Sequence, residues 1–342
     1  MNAVLQNPDS TCSASEPKSD PLLDTIETSG RFPLSYHDYL KNKDPSEFNA
    51  SLEAYDALDQ YSTSHRSKQL RECRNFAWFA INKESREVKV LANACRLRWC
   101  PICARAKSAA VAFSVGEFLK NIDRPKFLTL TLRHSVAPLA HQINSIYKAF
   151  RALRKTKLWR KKVKGGIWFF QIKKSSADKL WHPHIHCVLE SGYIAQQALS
   201  ELWFKISKSS FVVDIRTVYK KDKAADYIAR YSARPSNLKD MPLDDRISLI
   251  SSLHGRRLCG AFGSAKGVDL KGARPDDDGT WRRISTWSKT LKSSHAGELG
   301  SVLFRCWMLR EPVPDHIDLT GLSNVLADGP SPLLEDLNLD DY

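Results

Sequence analysis

Trp181-His182-Pro183-His184-Ile185-His186-Cys187-Val188-Leu189 is the stretch that decides how this chain is read. Its three histidines recur at a spacing of two. In an extended strand that spacing puts all three side chains on one face, with Pro183, Ile185 and Cys187 on the other. A row of imidazoles on a strand that is otherwise apolar is costly to bury without partners. A divalent metal ion is a suitable partner, because neutral imidazole is a good ligand for it. The plainer alternative is a surface strand with solvated histidines.

Working outward, residues 127–132 (Phe-Leu-Thr-Leu-Thr-Leu) alternate as a strand does, with Leu128, Leu130 and Leu132 on one face. Residues 167–173 (Ile-Trp-Phe-Phe-Gln-Ile-Lys) and 184–190 read as two further strands, joined as a hairpin around the loop 174–181. If Lys173 opposes His182, then Gln171 opposes His184, and directly opposed residues share a face. Gln171 then offers an oxygen beside His184 and His186. Two imidazoles and one amide oxygen, open on one side, suit Mn²⁺ or Mg²⁺ holding a phosphate oxygen. His182, next to Pro183, falls outside that shell. Gln171 as an ordinary strand residue is the competing reading, since one register slip moves it to the other face.

Helical spacing of Ile143, Ile146, Tyr147, Phe150 and Leu153 predicts an amphipathic helix over 139–160. A second helix is expected over 194–207, a fourth strand over Phe211–Val218, and a third helix over Ala224–Ala233, ended before Pro235. Strands and helices interspersed with hairpin-like links make an α+β plan with antiparallel pairing. Residues 1–70 read as mostly disordered and polar, with one short helix near Ser51–Gln60. Residues 71–110 read as a cysteine module and 120–270 as the catalytic domain. A basic extension over 271–310 and a disordered acidic tail over 311–342 follow.

The formal net charge is +14 over 342 residues. The first thirty residues carry −4 and residues 311–342 carry −8, which leaves +26 for residues 31–310. A core that basic points to a polyanion, most simply nucleic acid. The densest part is Arg151, Arg154, Lys155, Lys157, Arg160, Lys161 and Lys162, with Trp159 inside it. Bases with an interleaved aromatic fit phosphate contacts plus base stacking on a strand. No apolar run reaches the roughly 18 residues that a membrane helix needs, and no secretory signal pattern opens the chain. A cytoplasmic protein is therefore expected, and its cysteines read as metal ligands or free thiols. Cys95, Cys100 and Cys103, in a CxxxxCPxC run, with Cys73 as the fourth, fit a structural zinc site. His65 is a weaker candidate for the fourth ligand.

Tyr227 and Tyr231 are four residues apart in Asp226-Tyr227-Ile228-Ala229-Arg230-Tyr231, so on a helix they point the same way. Core packing is the usual reason for such a pair. Here the surroundings are basic, including Arg230 and Arg234, and the segment follows a metal-type strand. A phenol has a pKa near 10 and needs activation to act as a nucleophile. A metal on the scissile phosphate provides this by neutralising charge.

In order along the chain, CxxxxCPxC, Phe-Leu-Thr-Leu-Thr, His-Pro-His-Ile-His and Tyr-Ile-Ala-Arg-Tyr-Ser resemble the plasmid rolling-circle replication initiators of the HUH endonuclease superfamily, from about Cys73 to Gly267. The resemblance implies a central antiparallel sheet of about five strands flanked by helices, preceded by the small Cys₄ zinc module. It also implies a nick in one strand at the plasmid's double-strand origin, presented single-stranded or as an extruded hairpin. Tyr231 matches the nucleophile that becomes joined to the 5′ phosphate and leaves a 3′ hydroxyl primer. His184 and His186 match the metal ligands. Host helicase, polymerase and single-strand-binding protein are the partners implied, in a bacterial cytoplasm. Two departures stand out: Tyr227 occupies the place where related initiators often carry a glutamate, and Gln171 that of another glutamate. Tyr227 then becomes a candidate second nucleophile. The rival readings are a transposase or relaxase with the same chemistry, a non-catalytic zinc-ribbon DNA-binding regulator, and a metal-dependent hydrolase that cuts without attachment.

Overall fold

The histidine stretch forms the central strand of a five-stranded antiparallel sheet. The computed structural model describes residues 35–175, 177–271, 280–294 and 299–317. Three helices open it: α1 (Tyr36–Lys41), α2 (Pro45–Asp59) and α3 (Arg66–Arg71). Then come β1 (Ala77–Asn82), β2 (Val88–Ala92), α4 (Pro101–Lys120), β3 (Lys126–Thr131), α5 (Leu139–Arg154), α6 (Lys157–Lys162), β4 (Val163–Lys174) and β5 (Trp181–Ser191). After these are α7 (Gln196–Ser207), β6 (Val213–Thr217), α8 (Lys221–Ala233), α9 (Leu243–Leu253), β7 (Cys259–Gly263), β8 (Trp281–Thr286), α10 (Trp287–Ser294) and α11 (Leu299–Leu309).

The large sheet runs β6-β3-β5-β4-β7, and every neighbouring pair in it is antiparallel. Side-chain parity divides its two faces. Leu128, Leu130, Phe170, Ile172, Ile185, Cys187 and Leu189 point into one core, which α5, α6, α7 and α9 cover. Ile167, Phe169 and Val188 point into a second, smaller core under α4 and α8. The histidines at even positions of β5 share that second face. The α+β class and the five-stranded antiparallel plan expected from the sequence are what the chain adopts. Hairpin register is also as expected: Gln171 pairs with His184 and Lys173 with His182.

Four details differ from the sequence reading. Residues 36–71 hold three helices where a mostly disordered segment was expected. Phe48 and Tyr55, with Leu52 between them at helical spacing, bury an apolar stripe in the larger core that the polar composition masks. The helix expected over 139–160 is two helices, because Thr156 caps a new one: its hydroxyl accepts from the Trp159 N–H. The region after 271 is more than an extension. Strand β8 pairs with β1 in a second sheet, β2-β1-β8, and Trp287 stacks on Phe79 at 5.6 Å. Finally, the start of the acidic tail docks: the Val313 N–H donates to the Arg86 carbonyl, and Arg86 donates to the carbonyls of Val313, Pro314 and Ile317. The disorder expected for 1–30 and for the tail beyond 317 concerns residues outside those described.

Candidate active site and metal centre

The site is built from two strands and one helix. Strands β3 and β5 pair with Thr129 opposite His186 and Thr131 opposite His184. Thr129 Oγ1 lies 3.0 Å from His186 Nδ1, and Thr131 Oγ1 lies 3.0 Å from His184 Nδ1. Each ring is thereby oriented through Nδ1, which leaves Nε2 for a ligand, the arrangement that supporting residues give metal-binding histidines. Burial is the main force that holds both imidazoles neutral. It pushes His184 down to about 4, helped by Lys173 and His182, and His186 down to about 3, helped by His184 and Lys173. Neutral imidazoles are competent ligands.

Gln171 is buried on the same face, and its Oε1 lies 2.7 Å from His186 Nε2. That contact is a hydrogen bond when His186 carries its proton on Nε2, and the same two atoms are free to act as ligands when the proton sits on Nδ1. The donor set of His184, His186 and Gln171 therefore fits a divalent ion.

Helix α8 brings the phenols. The Tyr231 ring stacks on His186 at 5.4 Å between centroids and 22° between planes. Tyr227 meets His186 edge-on at 6.2 Å and Tyr231 edge-on at 5.7 Å. Phe127 closes the wall at 5.7 Å from His186 and 5.8 Å from Tyr227. Burial, with Tyr227 as a hydrogen-bonded neighbour, pushes the Tyr231 phenol above its usual range, against the opposing pull of Arg230 and Gln171. Tyr227 is 38% exposed, and the Arg230 guanidinium lies 5.2 Å from its ring centre.

The second centre is the cysteine cluster. Cys73, Cys95, Cys100 and Cys103 converge with their sulfurs mutually within 4.8 Å, and His65 is not among them. Sulfur separations of 3.5, 3.7 and 3.8 Å agree with the about 3.8 Å that a tetrahedral ion with roughly 2.3 Å bonds requires. Cys100 also caps α4, accepting from the Cys103 N–H, with Pro101 at the first helical position. Along its later turns α4 buries Val111, Val115 and Leu119 in the core that holds Ala225, Ile228 and Ala229 of α8. The cysteine centre and the tyrosines therefore meet through one helix.

Residues 87–294, more than half of the chain, match the replication protein family. The chain belongs to that family. This replication protein is 26% identical over 305 residues to "Protein rep" of Bacillus amyloliquefaciens, which covers 72% of this chain and 90% of that relative. It is 29% identical over 174 residues to "Protein rep" of a Bacillus species, covering 46% of this chain and 57% of the relative. A "Protein rep" of Staphylococcus aureus is 25% identical over 187 residues, 49% of this chain and 82% of that relative. No solved structure matches the replication protein.

Its basic run lies elsewhere. Helices α5 and α6 cover the sheet face opposite to the histidines, so Arg151 to Lys162 do not surround the site. Trp159 is buried against Phe150 and Phe262 and offers no ring for stacking, which corrects that expectation. Its position in the first turn of α6 points it inward, between bases that point out. The Arg154 guanidinium sits 4.2 Å over the Phe262 ring, while Arg151, Lys155, Lys157, Arg160 and Lys161 are exposed and Lys162 is half-buried. Arg234 is also not a free cation: it pairs with the buried Glu47 at 2.8 Å. In the cysteine module, Arg98 donates to the carbonyls of Leu253 and Arg256. Sequence reasoning missed Thr129 and Thr131, although strand alternation opposite the three leucines places them with the histidines. It missed Glu47 because only the tertiary fold brings that residue to α8.

Among the described residues, no helix is long and apolar enough to cross a membrane.

Proposed function

We propose that this replication protein initiates rolling-circle replication of a plasmid by nicking one strand at its double-strand origin, with Tyr231 as the nucleophile. The observation that carries the reading is the stacking of Tyr231 on His186, beside His184, on one sheet face. A phenol and two neutral imidazoles that share one open site suit attack on a phosphodiester held there.

His184, His186 and Gln171 would hold a divalent ion, Mn²⁺ or Mg²⁺, which supplies charge neutralisation at the scissile phosphate. Thr129 and Thr131 keep both imidazoles turned for that task. The Tyr231 oxygen forms a bond to phosphorus as the bond to O3′ breaks. The phenol proton passes in net to O3′, leaving a 3′ hydroxyl and a 5′-phosphotyrosine link. One ester replaces another, so the bond energy is kept for later rejoining. A phenol is protonated near neutrality and burial strengthens that state, so the proton leaves as Tyr231 attacks. Tyr227, more exposed and next to Arg230, is positioned as the second nucleophile for strand transfer. The four cysteines hold structural zinc. The exposed bases Arg151, Lys155, Lys157, Arg160 and Lys161 hold phosphates remote from the nick, and Arg230 holds them near it.

The test uses labelled single strands that tile the DNA flanking the protein's own coding sequence, with Mn²⁺, on a denaturing gel. One strand should yield a covalent protein adduct. Tyr231→Phe should abolish the adduct while DNA binding survives. Cutting without attachment points to a hydrolase, binding without cutting to a regulator, and nicking that persists in a Tyr227 and Tyr231 double variant sinks the assignment.

A further inference from the structure

His182 takes no part in the pair formed by His184 and His186, and its surroundings give it another role. His134, just beyond β3, and Asp178, in the turn between β4 and β5, meet it at the end of the hairpin. His134 Nε2 lies 3.1 Å from Asp178 Oδ2, and His182 Nε2 lies 3.8 Å from Asp178 Oδ1. The two imidazoles are 4.3 Å apart at 45°. The ligand atoms of the three residues lie within 4.8 Å of one another. The carboxylate is held in place by the Leu180 N–H, which donates to Oδ1.

A simple ion pair accounts for only part of this arrangement. A proton shared between His134 and Asp178 satisfies one imidazole. His182 Nε2 remains enclosed by protein, with no hydrogen-bond partner. At 3.8 Å the carboxylate is too far to accept from it. Protonating both rings would set two cations against each other at ring-contact distance. One divalent ion among the three satisfies all of them. Tetrahedral ligands with bonds of about 2.0–2.2 Å stand roughly 3.3–3.6 Å apart, and the separations to the two carboxylate oxygens, 3.1 Å from His134 to Oδ2 and 3.8 Å from His182 to Oδ1, fall on either side of that range.

We propose that His134, Asp178 and His182 form a second divalent metal site, separate from the His184–His186 pair. Two imidazoles and one carboxylate select a first-row transition ion of the zinc, cobalt or nickel type, with one position left for water. His182 stands two residues before His184 on the same strand face, about 7 Å away along the strand. The ion ties the chain after β3 to the hairpin turn and fixes the rim of the histidine site. Nothing in this assignment depends on whether the protein nicks DNA.

The test is titration of the full chain, carrying its cysteine-bound zinc, with Co²⁺ followed by visible absorption. In a His184→Ala, His186→Ala background, one Co²⁺ per chain is expected to bind and to raise the melting temperature. Asp178→Asn and His134→Gln should each weaken that binding by at least the roughly tenfold that loss of even a supporting residue costs. As a check that needs no change at His184 or His186, Asp178→Asn in the natural chain should lower the bound Co²⁺ by one per chain. Absence of Co²⁺ binding in the background that lacks His184 and His186 overturns the proposal. So does binding that both substitutions leave intact, or an unchanged count in the natural chain.

Discussion

Glu47, fully buried on α2, reaches Arg234 at the end of α8 across 187 positions of sequence and lies 2.8 Å from its guanidinium. The same carboxylate accepts from the Leu238 and Lys239 N–H groups at 2.9–3.1 Å. One acid near the start of the described chain thus anchors the helix that carries Tyr227 and Tyr231. Glu47→Ala leaves a mostly buried guanidinium and two backbone donors without their acceptor. The expected loss is about 3 kcal/mol or more, read as a lower urea midpoint. If the midpoint does not move, the pair is not holding the end of α8. Adduct formation should fall as well, with single-strand binding less affected.

The cysteine cluster shapes α4 at its first turn, and α4 packs along α8. Cys100→Ser removes one thiolate and leaves a hydroxyl able to cap the helix, so the change acts on the metal centre. Zinc measured by elemental analysis should fall by close to one per chain, and the melting temperature should drop. Chelation of the natural chain should reproduce that drop. A zinc count equal to that of the natural chain would show that the cysteine centre does not depend on Cys100.

Thr129 and Thr131 orient the imidazoles through Nδ1. Replacing either by valine keeps the shape and removes the hydroxyl. Affinity for Mn²⁺ should fall by roughly 10–100-fold, measured from the free Mn²⁺ signal in paramagnetic resonance, with little change in secondary structure by circular dichroism. Gln171→Ala should weaken Mn²⁺ by more than either threonine change, since it removes a donor.

Burial raises the Tyr36 phenol to about 12, with Tyr39 adding to the shift and Arg74 opposing it. Its ring packs 4.8 Å from Trp287. Below pH 10 the folded and unfolded chains both keep this proton, and stability is unaffected. Between pH 10 and about 12 only the unfolded chain releases it, so stability falls with rising pH across that window. Tyr36→Phe should flatten the alkaline limb of a plot of melting temperature against pH. An equally steep limb in the variant would assign the loss to other phenols.

Much of this site was readable because strands repeat every two residues. Parity alone placed His184 and His186 on one face, and Gln171 joins them through the hairpin register that the sequence reading supposed, which β4 and β5 adopt. Helical spacing likewise paired Tyr227 with Tyr231. What escaped the sequence was long-range or inverted in sense. Glu47 and Arg234 meet only in the fold, and the partnership of His134 with His182 depends on how a turn closes. A charge run does not say which face of a sheet it covers, and for residues 151–162 that face is the one away from the histidines.

Trp159 tests that last point directly. Its side chain fills the core between Phe150 and Phe262, so Trp159→Ala should cost about 3–5 kcal/mol in urea unfolding and leave the salt dependence of DNA binding alone. Arg160→Ala with Lys161→Ala should do the opposite. Stability should stay within about 0.5 kcal/mol, while the slope of log affinity against log salt on single strands shrinks by about 0.7 for each phosphate that the protein no longer neutralises. The two variants separate a ring that packs from charges that bind. A changed slope with unchanged stability in Trp159→Ala would return the tryptophan to the DNA, and an unchanged slope in the double variant would remove these two bases from it.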